Sequence, residues 1–366
     1  MREMQSNIEA KILFRLIRIA IGTEGMDAPF DANRVEWKRL YEMARKQGVL
    51  AIVFDGLMRL FEVDKELAKS FSQQLKLRWI NAMFSIEQRY NTSREVCGEL
   101  AEKWAEQDIK TLCLKGLAFS TYYPEPSHRE CGDFDCYLYD DYAKGNDIAR
   151  ELGAKVDESM YKHSEIIYRK VMVENHRFIV AVRGGQKMKN LHSLLDNLAR
   201  TEERKPLFDT KIEMPSAMFN AVFLNYHSLS HFLSEGIRVR HLLDWALFLK
   251  AEQKGLDWVR FYQICDEYNL RAFVDCMTAL AVELCGVDVD NELVTTASPY
   301  AERVLDAMIN EDNAVFSQSV GAWRKRVMLV QNLFSSSWKY KAFSSQGVVA
   351  KFASLLWGFL THPEED

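Results

Sequence analysis

Apolar residues return at three- and four-residue spacing through roughly the first 105 positions, in segments such as ANRVEWKRLYEMARKQGVLAIVFDGLMRLF and KELAKSFSQQLKLRWINAMFSIEQRYNTSREVCGELAEKWAEQ. That period lines them up on one face of a helix, so the region predicts helix after helix, with Asp64 and Ser93 as polar residues near helix ends. The spacing changes after Asp108. IKTLCL (109–114), DFDCYLY (133–139), EIIYRKVMV (165–173) and HRFIVAV (176–182) are short apolar runs rich in β-branched and aromatic residues, which predict four strands within about 75 residues. LAFSTYY, opened by Gly116, predicts a short helix after the first strand, and DDYAKGNDIARELGAK predicts another that ends at Gly153. Helical spacing returns from about 187, in KMKNLHSLLDNLARTEE, and after a break near Pro206 and Pro215 it continues through SAMFNAVFLNYHSLSHFLSEG, RHLLDWALFLKAEQKG and DWVRFYQICDEYNL toward the end.

This order predicts an α+β fold, predominantly helical, in which a small mixed sheet with its helices (106–205) is flanked by an N-terminal (1–105) and a C-terminal (206–366) helical region. No repeat of fixed period interrupts it. The opening MREMQSNIEAKILFRLIRIAIGTEG carries two Arg inside its apolar run and no small-residue cleavage site, so it predicts an amphipathic helix rather than a signal peptide. The late apolar stretch GVVAKFASLLWGFL is about 14 residues long and holds a Lys, too short to span a bilayer, and it predicts a core helix.

Composition adds limits. Apolar residues make up 48% and charged residues 27% of the 366, the balance of an ordinary globular protein. With 47 basic against 52 acidic residues the net charge is −5, which gives no global attraction to nucleic acid, so any such contact would be local. Seven Cys, scattered without a CxxC pair, predict free thiols and a cytoplasmic location. His128, Cys131, Cys136 and His163 match no usual zinc spacing. Two basic stretches stand out: RGGQKMKN (183–190), whose two glycines suit a phosphate-facing loop, and WRKR (323–326) with WKYKAF (338–343), which in a net acidic chain read as solvated helix faces.

The chemistry concentrates around DFDCYLY. Side chains alternate faces along a strand, so Asp133 and Asp135 point one way while Phe134 enters the core. Such a carboxylate pair holds divalent cations when a third carboxylate joins it, and Glu174 in VENHRF is the candidate, with His176 two residues on. Lys115 and Gly116 close the first strand: glycine allows close backbone approach, helix N-terminal amides favour phosphate, and Lys115 adds a charge for a triphosphate. Arg129, four residues before Asp133, has the planar fork that meets phosphate oxygens. His227 and His231 share a helix face, with His241 and Asp244 one helix later; a helical metal site of the phosphohydrolase kind lacks an adjacent His-Asp pair, which leaves a packing seam or the lining of an acceptor cleft.

LKGLAFSTYYPEPSHRECGDFDCYL, VENHRF and FLNYHSLSHFLSEGIRVRHLLDWALFL together resemble the uncharacterised nucleotidyltransferases of the DNA-polymerase-β-like superfamily, over about 110–250. The resemblance implies a nucleotidyltransferase-like α/β core and transfer of a nucleoside monophosphate from a nucleoside triphosphate to an acceptor hydroxyl, with release of pyrophosphate. It implies Mg²⁺ or Mn²⁺ held by Asp133, Asp135 and Glu174, with Lys115 and the Gly116 amide toward the β- and γ-phosphates and Arg129 and His176 beside them. The superfamily's Gly-Ser pair is absent, because Leu117 follows Gly116, and Ser120 is the candidate substitute. A small molecule, a sugar, an RNA or a protein side chain would all serve as acceptor. The second reading is a non-catalytic module that binds a nucleotide or a partner on the same fold.

Overall fold

The computed structural model describes residues 8–26, 35–310 apart from 292 and 296, and 337–344. Its N-terminal part is helical, as predicted: α1 (Ile8–Ile21), α2 (Trp37–Lys46), α3 (Leu50–Val63), α4 (Lys65–Ser70) and α5 (Gln73–Ala105). Asp64 opens α4 by accepting the Leu67 N–H at 2.8 Å. Ser93 ends nothing, since α5 runs through it for 33 residues without a proline to stop it. The α1 and α3 backbones meet at Gly56, where an added Cβ would stand 2.0 Å from the Leu16 carbonyl oxygen, so only glycine fits the contact.

The middle of the chain builds one mixed sheet, from β1 (Thr111–Cys113), α6 (Leu117–Ser120), β2 (Phe134–Tyr137), α7 (Tyr142–Glu151), β3 (Lys155–Asp157), β4 (His163–Tyr168), β5 (Val171–His176), α8 (Gln186–Thr201), β6 (Lys205–Pro206) and β7 (Ile212–Met214). Strand order is β3-β4-β5-β2-β1-β7-β6, with β2 parallel to β5, β1 parallel to β7 and the other neighbours antiparallel. Two strand predictions need correction. The run 165–173 is two strands, because Arg169 and Lys170 both take positive φ (47° and 69°) and turn the chain back on itself. The run 176–182 has a strand residue only at His176, where β5 ends, and Ile179 and Val180 are buried in irregular backbone. The two- and three-residue strands β3, β6 and β7 are too short for an alternating pattern to reveal.

The chain then returns to helix in α9 (Ala217–Ser234), α10 (Val239–Glu252), α11 (Trp258–Glu267), α12 (Arg271–Cys285), α13 (Ala301–Asn310) and α14 (Ser337–Phe343). The predicted core helix in 347–360 and the basic stretch 323–326 lie outside the described residues. Among the described residues, no helix is long and apolar enough to cross a membrane. The fold is α+β and predominantly helical.

The sheet separates two apolar cores, and strand alternation assigns residues to them. Leu112 and Tyr137 join the larger core, which takes in helices from both ends of the chain. Cys113, Phe134, Cys136, Ile166 and Val173 face the smaller one, closed by the second half of α5 with Trp104 and Leu100.

A loop ties these layers together. In Glu125–Glu130, each polar side chain goes to a different place. Glu125 accepts from the Ser127 hydroxyl at 2.8 Å. His128 lies between Asp55 of α3 (2.7 Å) and Glu87 of α5 (2.9 Å). Arg129 donates from Nε and Nη2 to both oxygens of Asp244 in α10, at 2.9 and 2.8 Å. Glu130 accepts the Leu50 N–H at 3.1 Å, satisfying a free amide at the start of α3.

Candidate active site

The parallel pairing of β2 with β5 sets Asp135 opposite Glu174, and the antiparallel pairing of β5 with β4 sets His176 opposite His163. Because side chains alternate, residues in these register positions share one sheet face. Asp133, Asp135 and Glu174 each bring a carboxylate oxygen within 4.8 Å of the others. Asp135 is the buried member at 1% exposure, while the Asp133 side chain is 37% exposed at the rim. Lys115 Nζ lies 3.0 Å from Asp135 Oδ1 and 4.0 Å from Asp133 Oδ2. His176 Nε2 lies 3.1 Å from Asp135 Oδ1 and 3.4 Å from Glu174 Oε2. Asp135 Oδ2 is buried with no hydrogen-bond partner.

Gly116 makes this approach possible. It takes φ +62°, in the left-handed region that side chains disfavour, and so turns the chain directly out of β1 with Lys115 beside the carboxylates.

The carboxylates differ in basicity. Burial pushes Asp133 up and the neighbouring Asp135 charge adds to it, while Lys115 opposes both. Burial also acts to raise Asp135, but Lys115 and His176 outweigh it and hold this carboxyl well below the usual carboxylate range. Glu174 is lowered as well, since its hydrogen bond with His176 and the charges of His163 and His176 exceed the cost of burial. Burial works against the Lys115 ammonium, yet Asp135, Asp133 and Glu174 raise its pKa.

The structure therefore brings Lys115, Gly116, Asp133, Asp135, Glu174 and His176 together, and it leaves two expected residues elsewhere. Arg129, expected to meet phosphate oxygens, is 5% exposed and forms the buried pair with Asp244, which also accepts from Tyr123 Oη at 2.8 Å. Ser120 is fully buried: its hydroxyl donates to the Leu117 carbonyl at 2.6 Å and meets Tyr90 Oη at 2.8 Å. The proposed phosphate loop 183–190 is shorter than expected, because Lys187 and Lys189 already belong to α8, and Arg183 lies over the Tyr161 ring at 4.0 Å.

Two residues at the site escaped the sequence reading, and a third, His227, is one the sequence offered for the lining of an acceptor cleft. His163 Nε2 stands 3.7 Å from Glu174 Oε1. Lys162 carries a second ammonium, lowered first by burial, in the field of Asp135, Lys115, Glu174 and Asp133. Burial and then the Lys115 charge hold His227 of α9 well below the usual imidazole value, and Asp135 and Lys162 also act on it. The signal for Lys162 and His163 was their place at the start of a strand, which the unrecognised turn at 169–170 hid. Among the described residues, the groups of His, Cys, Asp and Glu able to share a cation contain no cysteine, so the set His128, Cys131, Cys136 and His163 is not gathered.

A family model described as "Uncharacterised nucleotidyltransferase" matches residues 33–286, more than half of the chain and all of the site residues named above. No curated protein and no solved structure matches the chain.

Proposed function

The chain belongs to the uncharacterised nucleotidyltransferase family, and from that premise we propose that it moves a nucleoside monophosphate from a nucleoside triphosphate to an acceptor hydroxyl, releasing pyrophosphate. The observation that carries this reading is the acidic face: three carboxylates with oxygens within 4.8 Å of one another, one of them buried with an oxygen that has no partner. Like charges buried together cost free energy unless a cation offsets them. Lys115 offsets part of that charge, and the donor set of Asp133, Asp135 and Glu174 fits a hard divalent ion. Mg²⁺ or Mn²⁺ held there would neutralise triphosphate charge and polarise the α-phosphate.

The chain's own residues do the remaining work. Asp135 stays ionised across the working pH range because Lys115 and His176 stabilise its charge. Lys115 and Lys162 set two ammonium groups against the negative charge that a triphosphate brings. The acceptor oxygen bonds to the α-phosphorus in line as the bond to the bridging oxygen breaks, and positioning with charge compensation supplies most of the rate. The acceptor's proton passes to water as that bond forms. The cysteines are all free thiols, which supports a cytoplasmic setting as part of the same proposal.

The test follows transfer of an α-phosphate label from each nucleoside triphosphate, with Mg²⁺, to a panel of acceptor hydroxyls. Asp135→Asn is expected to lower turnover at least about 100-fold while the protein keeps its fold, since it removes an interaction with transition-state charge. Full turnover in that variant would overturn the metal role of Asp135.

The burial of Ser120, with Leu117 directly after Gly116, favours a second reading: a nucleotide-binding module without turnover. Triphosphate at about 100 times its dissociation constant adds roughly 2.7 kcal/mol to stability, so a melting shift without pyrophosphate release for any acceptor would select that reading.

A further inference from the structure

Two ligand groups overlap on this face, and they differ in kind. Asp133, Asp135 and Glu174 offer only oxygen, whereas His163, Glu174 and His176 offer two imidazole nitrogens and one carboxylate, again within 4.8 Å of one another. We propose that His163, Glu174 and His176 form a second cation position, selective for a transition-metal ion such as Zn²⁺ or Co²⁺, joined to the all-oxygen position through Glu174.

Register builds this position. His163 and His176 are direct partners across β4 and β5, with ring centroids 5.3 Å apart. Glu174 presents one oxygen to each ring, at 3.7 Å from His163 Nε2 and 3.4 Å from His176 Nε2. Donor atoms around a zinc ion at about 2.0–2.1 Å are spaced about 3.3–3.4 Å apart when tetrahedral, close to these separations. Asp135 Oδ2 is buried without a hydrogen-bond partner, in the carboxyl group whose Oδ1 touches His176. An unpartnered buried polar atom is costly and calls for a ligand.

Ligand chemistry separates the two positions. Magnesium binds oxygen donors and keeps much of its water, while imidazole suits Zn²⁺, Co²⁺ and their neighbours. A shared carboxylate is what two ions about 3.5–4 Å apart would use. The cluster would therefore sort a hard ion toward Asp133 and a softer one toward His163. This inference goes beyond nucleotidyl transfer and needs metal binding alone, so it stands or falls separately from turnover.

The experiment is a titration of the metal-stripped full chain with Co²⁺, followed by its visible absorption, and then displacement by Zn²⁺ or by Mg²⁺. Zn²⁺ is expected to displace Co²⁺ at a concentration at least 100-fold below that needed with Mg²⁺. His163→Gln is expected to weaken Co²⁺ binding tenfold or more, while Asp133→Asn changes it less than threefold. Equal displacement by Mg²⁺ and Zn²⁺ in the unaltered protein would overturn the proposal whether or not the variants fold. So would His163→Gln protein, folded by circular dichroism, that binds Co²⁺ as tightly as the original.

Discussion

Asp135 and His128 are both titratable groups held by their neighbours, with opposite signs. For Asp135, Lys115 and His176 overcome burial and depress the folded pKa, so its contribution to stability is present above the unfolded value of about 3.9 and lost as pH falls through the folded value. Lys115→Met leaves that carboxylate buried with His176 as its remaining partner, and the expected cost at neutral pH is about 3 kcal/mol in urea unfolding, with partial recovery on adding Mg²⁺. Equal stability of variant and original, with or without Mg²⁺, would remove Lys115 from this account. For His128, burial acts downward, but Asp55 and Glu87 outweigh it and push the ring up to about 9. A raised folded pKa means stability that is complete below the unfolded value of about 6.5 and lost as pH rises to about 9. The urea midpoint should fall across that window, and His128→Asn should flatten the fall. At this scale the sequence was informative where chemistry is local: Asp133 and Asp135 by alternation, Lys115 and Gly116 by adjacency. It misled at Arg129, whose partner Asp244 lies 115 residues away and stood out in the sequence only beside His227, His231 and His241.

Elements were legible in proportion to their length. Helices of ten or more residues show their apolar spacing, and α5 was readable except for the end supposed at Ser93. The β4–β5 hairpin was not, because its turn is Arg169–Lys170 and lacks the Gly or Asn that usually marks positive φ. That one turn decides which residues stand opposite Glu174 and His176, so missing it hid His163 and Lys162 while Glu174 was still found from its charge. Helix crossings are also silent in sequence. Gly56→Ala would force the Leu16 carbonyl away by more than an ångström, and a loss of about 2–3 kcal/mol is expected in thermal or urea unfolding. Loop-to-helix pairing has a similar test. Asp244→Ala strands the buried Arg129 guanidinium and should cost about 3–5 kcal/mol, while Arg129→Met with Asp244→Leu should recover most of it. Additive losses in the double variant would mean that the two side chains do not act as a pair.

Across the whole molecule, the helices that precede the sheet and those that follow it are one packing unit. Leu16 and Trp79 share the larger core with Trp245 and Phe273, although they lie far apart in the chain. Unfolding followed at Trp79 and at Trp245, in variants keeping one reporter each, should therefore give coincident urea midpoints. Separated midpoints would show that residues 1–105 and 206–366 unfold independently. The loop at Glu125–Glu130 also fixes an order in time. When a ribosome has made His128, both of its carboxylate partners are already present, 73 and 41 residues earlier. The anchor for Arg129 arrives 115 residues later, a delay of roughly 6–23 s at about 5–20 residues per second. Until then the nascent chain carries its acidic hairpin against a loop fastened on one side only, and a finished cleft first exists when α10 has been synthesised and docked.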